Sequence, residues 1–124
     1  MPTILIINDS RLSRNVLSDP LLDSGFTVVQ ADNGQAGLAA FAEHNPDCII
    51  TDLLMPVMKG QEFIRELRGI DTAVPVLVLS SDIQEMSKSE CQALGISKFL
   101  NKPVRAEQIV NDVNEAIALT GVLQ

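Results

Sequence analysis

Short, β-branched apolar runs alternate with amphipathic stretches along the whole chain, and this alternation constrains the fold more than any other feature. The first run, Thr3-Ile4-Leu5-Ile6-Ile7, is apolar throughout, as a strand covered on both faces must be. Asn8-Asp9-Ser10 follow it and are helix-starting residues. Residues 11–24 then place Leu12, Val16 and Leu17, with Leu21 beyond, at helical spacing. Pro20 predicts a kink, and Gly25 a helix end. Phe26 to Ala31 reads as a second strand whose polar members suggest a sheet edge. Asp32-Asn33-Gly34 turns into a helix with Leu38, Phe41 and Ala42, ended by Asn45-Pro46.

The pattern then repeats. Asp47 to Asp52 is a third strand, Leu53 to Lys59 a loop, and Gly60 precedes a helix with Phe63, Ile64 and Leu67 inward. Pro75 to Ser80 is the fourth strand. Asp82 with Glu85 resembles a capping box that opens a helix running to Gly95. Ile96 to Leu100 is a short fifth strand, and a last helix over 105–119 aligns Ile109, Val113 and Ile117. Five strands strictly alternating with five helices predict an α/β fold, a parallel sheet with helices on both faces. Periodicity does not supply the strand order.

At 124 residues the chain is expected to be one domain, 1–124, able to bury roughly two-thirds of its unfolded surface. The two cysteines, Cys48 and Cys91, have no zinc or C-x-x-C spacing and read as small buried hydrophobes. Nine basic residues against sixteen acidic ones argue against a nucleic-acid surface. No apolar run approaches the roughly 18 residues of a membrane span, and the N-terminus has no basic signal region. A cytoplasmic, soluble protein is expected.

In open α/β sheets ligands bind outside the carboxyl ends of the strands. Those ends carry Asn8-Asp9, Asp52, Ser80-Ser81 and Lys102. Two carboxylates, a hydroxyl and an ammonium from different strands thus converge on one edge. Carboxylates brought close repel unless a proton or cation separates them. Mg²⁺ suits such oxygen ligands, and a carboxylate beside it can attack phosphorus to give an aspartyl phosphate. The lysine and hydroxyl then meet the phosphoryl oxygens. No His or Cys stands at this edge, so hydrolase triads and zinc chemistry find no parts there.

The run Asn8-Asp9-Ser10-Arg11 is followed by Thr51-Asp52-Leu53-Leu54-Met55-Pro56, with Met58 and Gly60. Val78-Leu79-Ser80-Ser81 and Phe99-Leu100-Asn101-Lys102-Pro103 complete the set. Together these resemble a CheY-like response regulator receiver domain of two-component signalling, over the whole chain. The resemblance implies a flavodoxin-like (βα)5 fold with strand order 2-1-3-4-5, for which receivers are themselves a standard case. It implies that Asp52 is the phosphoacceptor, that Asp9 binds Mg²⁺ directly, and that the Leu54 backbone carbonyl is a further ligand. It also makes Ser80 the switch hydroxyl, Lys102 the phosphoryl-binding lysine and Phe99 the switch aromatic. A sensor histidine kinase or histidine phosphotransfer protein would be the donor. A downstream target protein would read the face formed by the helix from Asp82, the fifth strand and the last helix. No activity beyond the chain's own phosphorylation and dephosphorylation is implied.

Departures from the family pattern carry their own expectations. Asn8 stands where a second acid is usual. Two unit charges about 4 Å apart interact by roughly 4 kcal/mol at an effective dielectric of 20, so Mg²⁺ should bind more weakly. Asn8 can still hold a metal-bound water. Lys59, Ser81 and Val104 also differ from the usual Asp, Ala or Gly, and Phe. The alternative is a pseudo-receiver, an interaction module that works without phosphorylation. An aspartyl-nucleophile phosphatase would need an acid where Leu54 stands, and flavin binding finds no Trp or Tyr to stack on. His44 reads as solvated. Arg11 and Arg14 read either as a solvated face or as a contact for a kinase.

Overall fold

The computed structural model describes residues 2–52, 60–71, 73–80, 93–101 and 104–122. Its strands are β1 (Thr3–Ile7), β2 (Thr27–Ala31), β3 (Cys48–Asp52), β4 (Val76–Ser80) and β5 (Lys98–Asn101). All pair in parallel in one sheet ordered β2-β1-β3-β4-β5. The expected fold class and strand order therefore hold. β2 is an edge strand, as its exposed Thr27 and Gln30 require. The fifth strand begins at Lys98 rather than Ile96, although the Ser97 amide still donates to the Val76 carbonyl at 2.9 Å.

Strand alternation divides the core into two layers. Leu5, Ile7, Ile49, Val76 and Val78 face one side, with Phe41, Phe63, Ile64 and Leu67 from α2 (Gly34–His44) and α3 (Gly60–Ile70). Ile4, Ile6, Cys48, Ile50, Leu77 and Leu79 face the other. Leu17 and Leu21 of α1 (Arg11–Asp23) cover them there, with Ile109 and Val113 of α4 (Ala106–Val122). A strand buried on both faces has no place for polar residues, which is why β1 reads as an unbroken apolar run.

The helix ends follow local chemistry. Ser10 caps α1 through its hydroxyl, which accepts from the Ser13 amide at 3.2 Å, and Asn33 caps α2 by accepting from the Ala36 amide at 2.8 Å. At the far end of α1 the Phe26 amide returns to the Leu21 carbonyl and the Gly25 amide to the Leu22 carbonyl, both at 3.0 Å. This closure needs a left-handed residue, and Gly25 supplies it at φ +97°. α1 continues through Pro20 to Asp23. The ring removes only the bond to the Val16 carbonyl, and Val16 is exposed to water.

The spacing of α1 misleads at two positions. Leu12 and Val16 share helical spacing with Leu17, yet they are 74% and 57% exposed, while the buried residues are Leu17, Ser18 and Leu21. Their side of the helix overhangs the carboxyl edge of the sheet instead of lying on it. Ala42 of α2 is likewise exposed, and Gly34, Gly37 and Phe41 form that helix's inner face. The helix expected from Asp82 lies outside the described residues except near its end, where Leu94 is buried and Gly95 takes φ +63°. Cys91 lies outside them too. Among the described residues no helix is long and apolar enough to cross a membrane.

Candidate functional site

The site is assembled by strand register. Ile7 is paired with Thr51, so the next residues along, Asn8 just past β1 and Asp52 at the end of β3, stand side by side. Asp52 is in turn opposite Leu79, and Ser80 follows as the last residue of β4, paired with Asn101 of β5. Parallel strands about 4.8 Å apart thus bring residues 8, 52 and 80 to one edge without any contact between them in sequence. Asp52 is 5% exposed and Asn8 2%, whereas Asp9 is exposed. Asp52 thus brings a buried carboxylate to this edge and Asp9 a solvent-facing one. Leu54 and Lys102, both expected here, lie outside the described residues, as do Lys59 and Ser81.

Asn8 is held on three sides. Its amide donates to the Ala31 carbonyl at 3.1 Å, extending the ladder with β2 by one residue. Its carbonyl accepts from Arg14 Nη1 at 2.7 Å, and its side-chain Oδ1 accepts from the Ser10 amide at 2.9 Å. That last bond is an Asx turn, and it starts α1 as well as orienting the side chain. One lone pair on Oδ1 remains for a water. The donor set suits a hard dication: Asp9 and Asp52 offer oxygen only. Among the described residues no three His, Cys, Asp or Glu side chains are grouped to hold a metal ion.

Phe99 is paired with Val78 and packs, partly buried, against the layer containing Phe63 and Leu94. Its neighbour Lys98 points to the opposite face and donates to Asp112 Oδ1 of α4 at 2.7 Å. That hydrogen bond and the Asp112 charge raise the Lys98 pKa above its usual value. Cys48, on the same strand as Asp52, is no nucleophile: burial pushes its thiol up to about 12. It is buried, as expected, and His44 is exposed, 3.8 Å from Glu43.

Sequence spacing alone overlooks two features. Leu12, Val16 and Leu17 line a cleft of about 280 Å³ with Asn8, Ser13, Leu79 and Val104. The signal was available in retrospect, since an apolar pair in the first turns of a helix that begins at a site edge cannot reach the core. Gln30 is the other. It lies on the α1 side of β2 and accepts from Arg14 Nε at 3.1 Å.

A family profile described as "Response regulator receiver domain" matches residues 4–114. The chain is 30% identical over 115 residues to chemotaxis protein CheY of Bacillus subtilis, covering 92% of this chain and 96% of that one. It is 32% identical over 120 residues to protein PilH of Pseudomonas aeruginosa, covering 95% and 99% respectively. Among solved structures, chemotaxis protein CheY4 of Vibrio cholerae superposes with a TM-score of 0.88 at 31% identity, covering 94% of this chain and 98% of that one.

Proposed function

The chain belongs to the response regulator receiver domain family of two-component signalling, and on that premise we propose that it is a phosphorylation-controlled switch whose phosphoacceptor is Asp52. The observation that supports this most is the register that sets the nearly buried Asp52 carboxylate between the Asn8-Asp9 and Ser80 strand ends. In this reading an Asp52 oxygen attacks the phosphorus of a phosphohistidine on a sensor histidine kinase or histidine phosphotransfer protein. The P–N bond breaks, its electron pair stays on the imidazole nitrogen, and that nitrogen takes up a proton. Asp52 is left as an aspartyl phosphate.

Asp9, Asp52 and the Leu54 backbone carbonyl hold Mg²⁺ in this proposal, with Asn8 reaching it through a water. The ion, when bound, neutralises charge that develops on the transferring phosphoryl oxygens. Lys102 and Ser80 bind those oxygens, and Phe99 follows Ser80 inward. This biases the face that includes β5 and α4 between two packings read by a downstream protein. Intact mass after incubation with acetyl phosphate and Mg²⁺ tests the proposal. One phosphoryl group should be gained, and Asp52→Asn should gain none; no adduct with either this donor or any kinase overturns it.

One observation favours a second reading, a pseudo-receiver that binds partners without phosphorylation. Asn8 removes an acid from the site, and one of the two lone pairs on its Oδ1 already accepts from the Ser10 amide. A Mg²⁺ titration separates the two, since the second reading expects neither metal binding nor an adduct.

A further inference from the structure

Behind Asn8 lies a closed ring of hydrogen bonds that neither the packing nor the phosphoacceptor chemistry accounts for. Arg14 Nη1 donates to the Asn8 carbonyl at 2.7 Å and Arg14 Nε to Gln30 Oε1 at 3.1 Å. Gln30 Nε2 donates to Ser18 Oγ at 2.7 Å, with a longer bond to Asn15 Oδ1 at 3.3 Å. The Ser18 hydroxyl, on a residue only 2% exposed, donates back to the Arg14 carbonyl at 2.7 Å. The ring thus joins the exposed edge strand β2 to α1, and a branch from Arg14 reaches the backbone at the site.

We propose that Arg14, held by Gln30, is a positioning residue that aims the Asp9 carboxylate. The proposal rests on Asp9 being a metal ligand in the reading above. The physical link is the peptide plane. The Asn8 carbonyl belongs to the same rigid planar unit as the Asp9 amide, so fixing one sets the direction in which the Asp9 backbone departs. The Asn8 amide and Oδ1 are pinned separately, to Ala31 and Ser10, and the carbonyl is the remaining handle on this turn. A guanidinium can span both acceptors because its donors sit in a rigid fork, while a lysine ammonium in the same place supplies charge but cannot hold both partners in that geometry. With the usual acid replaced by Asn8, Asp9 is the one carboxylate left on this turn, so its orientation matters more.

Three variants test this: Gln30→Leu, Arg14→Lys and Arg14→Ala. Gln30→Leu changes no charge and lies on an exposed edge residue away from the site. Mg²⁺ affinity measured by calorimetry should fall about tenfold in all three, the lower end of what losing a group behind a metal ligand costs. In the metal-free protein, amide hydrogen exchange at Asp9 and Ser10 should speed up in the same three variants while the urea midpoint of Gln30→Leu stays near wild type. Wild-type exchange and Mg²⁺ binding in Gln30→Leu overturn the proposal. So does an Arg14→Lys protein that matches wild type, since charge alone would then suffice. A wild-type protein that binds no Mg²⁺ sinks the metal reading of Asp9, and the exchange rates still decide whether the ring holds the turn.

Discussion

Gly37 brings α2 close against Ile7 of β1, and replacing it with alanine puts a number on how tightly that layer is packed. A Cβ built there would lie 2.6 Å from Ile7 Cδ1, 3.1 Å from Ile7 Cγ1 and 3.1 Å from Phe63 Cε1. Ile7 and Phe63 are both 0% exposed, so neither can retreat into solvent. Two opposing effects decide the sign. Alanine stabilises a helix interior by about 0.5–1 kcal/mol relative to glycine. Overpacking a filled core costs about 1–3 kcal/mol. At the middle of both ranges Gly37→Ala should therefore lose about 1 kcal/mol net, the steric effect winning. Ile7→Val removes the Cδ1 atom in the way and alone costs about 0.5–1.5 kcal/mol. In the Gly37→Ala background it should cost less, giving a favourable coupling of about 1 kcal/mol in a double-mutant cycle. Urea unfolding followed by far-ultraviolet circular dichroism is the assay, because the chain has no Trp or Tyr to report by fluorescence. A Gly37→Ala protein as stable as wild type, or strictly additive energies in the cycle, would refute the reasoning.

Other perturbations have equally definite outcomes. Arg68 donates to the carbonyls of Leu94 at 2.8 Å, Gly95 at 2.9 Å and Asp71 at 3.3 Å, so Arg68→Ala should destabilise by about 1–3 kcal/mol, with Arg68→Lys recovering only part in urea melts. Cys48 has its thiol raised from 9.0 to about 12, so it stays protonated in the folded chain while the unfolded chain ionises. Its contribution is intact below pH 9 and is lost as pH rises above it, at up to about 1.4 kcal/mol per pH unit; Cys48→Ala should flatten that slope in melts from pH 8 to 11. Asp112 is 6% exposed, and its Oδ2 has no hydrogen-bond partner among the described residues while Oδ1 accepts from Lys98. Lys98→Met should then lower the urea midpoint more than Asp112→Leu, which removes the buried charge altogether and should be close to neutral.

Much of the architecture was legible in linear order. The apolar runs located all five strands, and the polar residues of 26–31 marked an edge. Capping residues also placed helix starts correctly, because Ser10 and Asn33 act through bonds to amides only three residues away. Boundaries were less sharp. Ile96 and Ser97 sit outside β5 although their pattern is continuous with it, and the Ser97 amide still reaches the Val76 carbonyl at 2.9 Å. Leu12 and Val16 show the limit of periodicity, which says that residues share a face but not whether anything lies beneath it.

The candidate site divides the same way. The chemical types were readable: Asn8, Asp9, Asp52 and Ser80 each stand just where an apolar run stops, and such a stop depends on local composition alone. That they share one edge was inferred from the strand-helix alternation, and their order across it came with the family resemblance. The ring joining Arg14, Gln30 and Ser18 to the Asn8 carbonyl was beyond reach of any pattern. It depends on how far α1 is turned over the β1–β2 pair, which is set by the packing of Leu17 and Leu21 among side chains from five other elements. Local chemistry therefore determined which groups this chain brings to its edge, and tertiary packing decided how each is aimed, because direction depends on contacts between residues far apart in the sequence.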